Sequence, residues 1–142
     1  MTRPSVRATA FAALVCLLLA GCGGSGVVPV SGTLSYKGKP VTNAYINFVP
    51  EGGGRPSTAE TDENGRFTLV YDLQTKGAKV GKHRVFVTHN TAADAGKPGT
   101  VPGMAPKLST DTKELFNKYS GEKSKVEVVI DKATSDLKLD WD

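Results

Sequence analysis

The side chains able to act as nucleophiles, bases or metal ligands are few and scattered. The histidines are His83 and His89, six residues apart. On an extended strand such a pair shares a face at a separation of about 20 Å, too far to share a metal ion. No His-x-His or Cys-x-x-Cys spacing occurs, so neither a metal nor a cofactor is expected. His83 reads as a packed or edge residue. Asp62 and Glu63 fall in Asp62-Glu63-Asn64-Gly65, where a turn accounts for them better than acid–base work. Beyond residue 21 no Gly-x-Ser-x-Gly elbow signals a serine nucleophile. Catalysis is not expected.

Cys16 and Cys22 are the cysteines, and their surroundings differ. Arg3 and Arg7 give a positive start, and Ala8 to Ala20 follow as an apolar run broken only by Thr9. That run is shorter than the roughly 20 residues a membrane span needs, but it suits the core of a secretory signal. It ends in Leu19-Ala20-Gly21-Cys22, which resembles the lipobox of bacterial lipoproteins at all four positions. The resemblance implies lipid transfer to the thiol of Cys22, cleavage between Gly21 and Cys22, and acylation of the new amine. The small Ala20 and Gly21 let a peptidase approach the backbone. The competing reading is an ordinary secretory signal cut near Ala20, with Cys22 left as a stray thiol. Gly23, not Asp, follows Cys22, so the family's sorting rule favours the outer membrane over the inner.

Removing residues 1–21 from the 142 leaves 121, the size of one domain. The same cut takes Arg3 and Arg7, leaving 16 basic residues against 14 acidic. No basic stripe interleaved with aromatics remains, and nucleic acid is not an expected partner. Lys37, Lys39, Lys76, Lys79 and Lys82 read as solvated turn and edge residues. Only Cys22 would remain as a thiol, so stability must come from a packed core and not from disulfides.

Residues 22–27, with Gly23-Gly24-Ser25-Gly26, read as a flexible tether, and 28–142 as the domain. Val30, Gly32, Leu34 and Tyr36 share one parity of a half-buried strand, ended by Lys37-Gly38-Lys39-Pro40. Ala44, Ile46 and Phe48 form the inward set of a second strand that Pro50 stops. Ser57 to Thr61 predicts a short polar strand near an edge. The turn at Asp62–Gly65 predicts a hairpin with the strand of Phe67, Leu69 and Tyr71. Arg84 to Thr88 is apolar enough for a central strand. Val126, Val128 and Ile130, then Leu137, Leu139 and Trp141, form the last inward sets. The pattern predicts an all-β, seven-stranded antiparallel sandwich. Residues 89–125 form a long connection carrying one short helix. Asp111 with Glu114 suggests a capping box, and Leu115, Phe116 and Tyr119 share a face that Gly121 ends. The helix reads as a lid on the open end of the sandwich, with a ligand-binding element as the alternative.

Five segments together resemble the carboxypeptidase regulatory-like domain. They are Val30-Ser31-Gly32-Thr33-Leu34, Gly38-Lys39-Pro40-Val41, Ala44 to Pro50, Thr61 to Phe67, and Gly81-Lys82-His83-Arg84-Val85. The resemblance implies a transthyretin-like sandwich, best matched over Val28 to Thr88, that serves binding or support. Gly32 would let a neighbouring backbone approach. Asn43 stands where that family often has glycine, and His83 where an aromatic is usual. The transthyretin-like fold also hosts 5-hydroxyisourate hydrolase, but its Tyr-Arg-Gly-Ser tail has no counterpart in Leu137 to Asp142.

Two functions of different kind remain. One is a lipid-anchored accessory module in the bacterial cell envelope that binds a glycan, peptide or envelope protein, with Tyr36, Tyr45 and Tyr71 as the candidate surface. The other is a structural or assembly lipoprotein that pairs with a protein partner through a strand edge.

Overall fold

The computed structural model describes residues 26–89 and 109–142. Gly21, Cys22 and the signal segment lie outside the described residues, as does the first part of the long connection. Ten strand segments follow in chain order: β1 Val27–Val28, β2 Val30–Tyr36, β3 Lys39–Pro40, β4 Ala44–Pro50, β5 Ser57–Glu60, β6 Arg66–Thr68, β7 Ala78–Lys79, β8 Gly81–His89, β9 Val126–Ile130 and β10 Thr134–Trp141. Helix α1, Thr110–Tyr119, precedes β9, with a single 3-10 turn at Gly121–Lys123 between them. The protein is mostly β, as the alternating apolar pattern requires.

Two open sheets share one core. In the first, β2 has β10 on one side and β6 and β3 on the other; the second runs β5-β4-β8-β9. Val30 and Leu34 from β2, Phe67 beside β2, and Leu139 and Trp141 from β10 meet Ala44, Ile46 and Phe48 of β4 and Val85 and Val87 of β8. Phe48 and Phe67 bridge the sheets with ring centroids 6.4 Å apart. Burial alternates along β2 and β4, because successive side chains on a strand point to opposite faces. Arg84 to Thr88 falls within β8, which is interior, and Ser57 to Glu60 forms the edge strand β5, both as expected.

Three expectations need correction. The last strand is not antiparallel: β10 runs parallel to β2, with Gly32 opposite Leu137 and Leu34 opposite Leu139. The short link at 131–133 crosses from the edge of the second sheet to the first. There β10 meets a strand already running its way. The hairpin at Asp62–Gly65 is pinned at its ends and open between. Asp62 N–H donates to Arg66 at 2.9 Å, and Thr58 and Val70 exchange main-chain bonds. The residues between them divide, β5 to the second sheet and β6 to the first. The turn itself is as read, since the Asp62 carboxylate accepts from the amides of Asn64 and Arg66, each at 2.8 Å. Third, Ser109 caps α1, and Asp111 does not: Ser109 Oγ accepts from Thr112 N–H at 3.2 Å. Asp111 and Glu114 reach sideways instead, to Lys39 at 2.9 Å and Lys37 at 2.7 Å. Those two lysines are therefore paired, not merely solvated.

Helix α1 packs across the end of the sandwich where β2 and β10 finish. Leu115 is buried, with Phe116 and Tyr119 packed against the core. Tyr119 stacks on Trp141 at 4.5 Å and meets Tyr36 edge-on at 6.3 Å. The opposite end carries Gly26, the turns after β4 and after Val70, and the start of β8.

One contact lets β10 lie where it does. A Cβ built on Gly32 would sit 1.9 Å from the Leu137 carbonyl oxygen and 2.7 Å from its carbon, both backbone atoms. Only the absence of a side chain admits that approach. Gly32→Ala is expected to destabilise the fold by about 3 kcal/mol or more. Gly38→Ala, at a turn residue with open space around it, costs roughly 1–2 kcal/mol for its positive φ. Denaturant unfolding of both variants measures the difference.

Candidate functional site

The outward face of the first sheet is built from small and large side chains in adjacent rows. β2 supplies Ser31, Thr33 and Ser35, the polar parity of a strand whose other parity is core. β6 sets Thr68 opposite Ser31 and Arg66 opposite Thr33. On the other flank, β10 sets Lys138 opposite Thr33 and Asp140 opposite Ser35. The central strand is thus low and the flanks are tall, which makes a trough.

The trough deepens where β10 departs from regular pairing. Its register shifts between Thr134 and Leu137, so Ser135 and Asp136 together stand opposite the single residue Ser31. Such bulges bend a strand and re-aim its side chains. The depression there has a volume of about 370 Å³, lined by Ser31, Gly32, Thr33, Arg66, Thr68 and Asp136 among others. Ser31 Oγ reaches the Ser135 carbonyl at 3.4 Å, a long bond that leaves the hydroxyl free to reorient. Ser35 is occupied, donating to the Asp140 carboxylate. Asp136 lies 4.0 Å from Lys138, at the limit of an ion pair. Across the trough, the exposed Arg66 guanidinium makes no ion pair among the described residues.

This lining presents a permanent cation on one wall, a carboxylate on the other, and hydroxyls on the floor and walls that both donate and accept. It suits a ligand dense in hydroxyl groups, and Arg66 suits a carboxylate on it. Proton transfer has no imidazole or thiol to work with in the lining.

The three tyrosines do not form one surface. Tyr36 is 5 % exposed and lies under α1; its parity with Val30 and Leu34 already assigns it to the core side. Tyr45 projects from β4 on the outer face of the second sheet, between Glu60 and Thr88. Tyr71 is half-buried in the turn that its amide closes with Thr75. Sequence reasoning passed over the trough, although the Ser31-x-Thr33-x-Ser35 alternation signals its floor. Its walls were not readable without knowing which strands flank β2.

The histidines stay apart. Among the described residues, no group of three or more His, Cys, Asp or Glu could hold a metal. His89 meets Phe116 edge-on at 5.3 Å. His83 is 1 % exposed and packs on Phe48 with centroids 5.9 Å apart, so its ring is used as an aromatic core residue. Burial pushes its pKa down from 6.5, although the Gly81 carbonyl, 3.1 Å from Nδ1, partly opposes the shift. A depressed histidine binds its proton more tightly when unfolded. Its contribution to stability is therefore complete above pH 6.5 and is lost as pH falls from there toward the folded value. Melting temperature followed across that window should fall for the native protein, and His83→Phe should remove that part of the slope.

Comparison with protein-family models, curated proteins and solved structures returns no match.

Proposed function

We propose that the protein is a bacterial lipoprotein, acylated at Cys22 and held in the cell envelope, whose domain binds a hydroxyl-rich ligand, a glycan above all, without transforming it. The carrying observation is the trough, where Arg66, without an ion pair among the described residues, lies across the hydroxyls of β2 from Asp136. The anchor rests on the charged start, the apolar run and Leu19-Ala20-Gly21-Cys22. By the residue after Cys22, the outer membrane is the preferred address. Seven strand segments of three residues or more, folded as two sheets on one core, support the transthyretin-like assignment.

Pairing with a protein through a strand edge is the second reading. β9 and β10 are both outermost in their sheets, and Val129 on β9 is 67 % exposed. Asp136, Lys138 and Asp140 alternate along β10, however, and charges so placed discourage edge pairing. The trough is the stronger feature.

One measurement tests the anchor and a second separates these readings. Metabolic labelling with a fatty-acid probe should mark the wild type and not Cys22→Ser; equal labelling would remove the anchor. Peptidoglycan fragments and acidic oligosaccharides should bind saturably, with affinity reduced roughly tenfold by Arg66→Gln and unchanged by Tyr45→Ala. Recovery of one protein partner with no glycan signal would favour the edge instead.

A further inference from the structure

At the end of the sandwich opposite α1, the chain departs toward Cys22. Val80, just before β8, donates its amide to the Gly26 carbonyl at 2.7 Å. From Gly26 back to Cys22 is four residues, a reach of at most about 14 Å. Whatever Cys22 carries must lie within that distance of this end.

The side chains around that exit are unusual together. Leu73, at the tip of the turn closed by Tyr71 and Thr75, is fully exposed, and Val80 is 49 % exposed. A lone exposed leucine calls for no explanation; its neighbours do. Gly54 lies against Lys79, whose Nζ would be 3.2 Å from a Cβ there. Arg55 is close enough to act on Asp72. That carboxyl is held below its ordinary range first by the Gln74 amide and then by Thr75, with the Arg55 charge adding to both. Segments 54–55, 72–73 and 79–80 therefore lie at one end, and Val80 joins that end to Gly26. Arg55 and Lys76 are exposed and Lys79 is half-exposed. Against these three cations stands Asp72, whose Oδ1 is already taken by the amides of Gln74 and Thr75. Lys82, near the same end, pairs with both Glu51 and Glu127, a trio with one net negative charge, smaller than the positive excess of the three cations over Asp72.

We infer that this end is a membrane-seating surface: Leu73 and Val80 enter the interface of an anionic phospholipid bilayer while Arg55, Lys76 and Lys79 lie at its phosphates. The inference deepens the reading that Cys22 is acylated. The lipid on Cys22 supplies the attachment, and the basic, partly apolar patch sets which way the domain sits on the surface. Seating by this end turns α1 away from the lipid and leaves the trough on the flank, open to ligands. The patch is small, and its weak affinity suffices because the tether keeps it at high effective concentration.

Two experiments test the surface. The chain has one tryptophan, Trp141, at the α1 end. The acylated protein is reconstituted in phosphatidylcholine–phosphatidylglycerol vesicles whose acyl chains carry bromine. Wild-type emission should be little quenched, and the emission added by Leu73→Trp should be quenched strongly. Separately, residues 22–142 with Cys22→Ser, which keep every described residue, should float with phosphatidylglycerol vesicles at low salt and millimolar lipid, a concentration that stands in for the tether. That bound fraction should drop roughly tenfold or more on Arg55→Glu with Lys76→Glu, with circular dichroism unchanged. Equal quenching at both ends, or flotation indifferent to the charge reversals, overturns the inference. The flotation holds no acyl group, so it succeeds or fails independently of whether Cys22 is modified.

Discussion

Strand β2 is the constraint on which the rest depends. It has β10 along one side and β6 and β3 in succession along the other, the only described strand shared by three neighbours. One of its faces supplies Val30, Leu34 and Tyr36 to the core, while the other floors the trough. Gly32 serves both roles. Lacking a side chain, it admits the Leu137 backbone, and that contact falls at the bulge that deepens the trough. The interior and the candidate site are two sides of a single ribbon.

The two ends of the sandwich are made differently. The α1 end is closed by aromatic packing, with Tyr119 between Tyr36 and Trp141. Its exposed ion pairs, Lys37–Glu114 and Lys39–Asp111, orient the helix more than they hold it, since solvent screens such pairs. Among the described residues the end near Gly26 has no such closure: its turns are glycine-rich and polar, with Leu73 outward.

Much of the fold was legible because strand parity is a local property. The inward sets of β2, β4 and β10 follow from alternation alone, and the turn that ends in Gly65, at φ 71°, follows from its residue types. Long-range choices were not legible. Nothing in Leu137 to Trp141 tells which strand it will lie beside, so the parallel pairing with β2 was missed. The spacing of Asp111 and Glu114 fits a capping box, but Lys39 and Lys37 compete for both carboxylates from 70 residues and more away. The tyrosines misled because residue type was weighed over position. Tyr36 belongs to the apolar parity, whatever its hydroxyl could do. The trough needs three strands in a known order, and no single stretch of chain contains that information.

The parallel pairing of β2 with β10 has a consequence for how the molecule is made. Ser35 and Asp140 meet across 105 residues of chain, and contacts of that separation form slowly, because a long loop must close first. A polypeptide synthesised from its N-terminus therefore exposes an apolar β2 ribbon, with one side unpaired, until β10 arrives. A chain cut short before Thr134 loses the strand that shields its first long one. Such truncated copies would present a sticky edge to proteases and to each other. Chains that carry β10 would be spared, so the topology itself acts as a check on the integrity of the product.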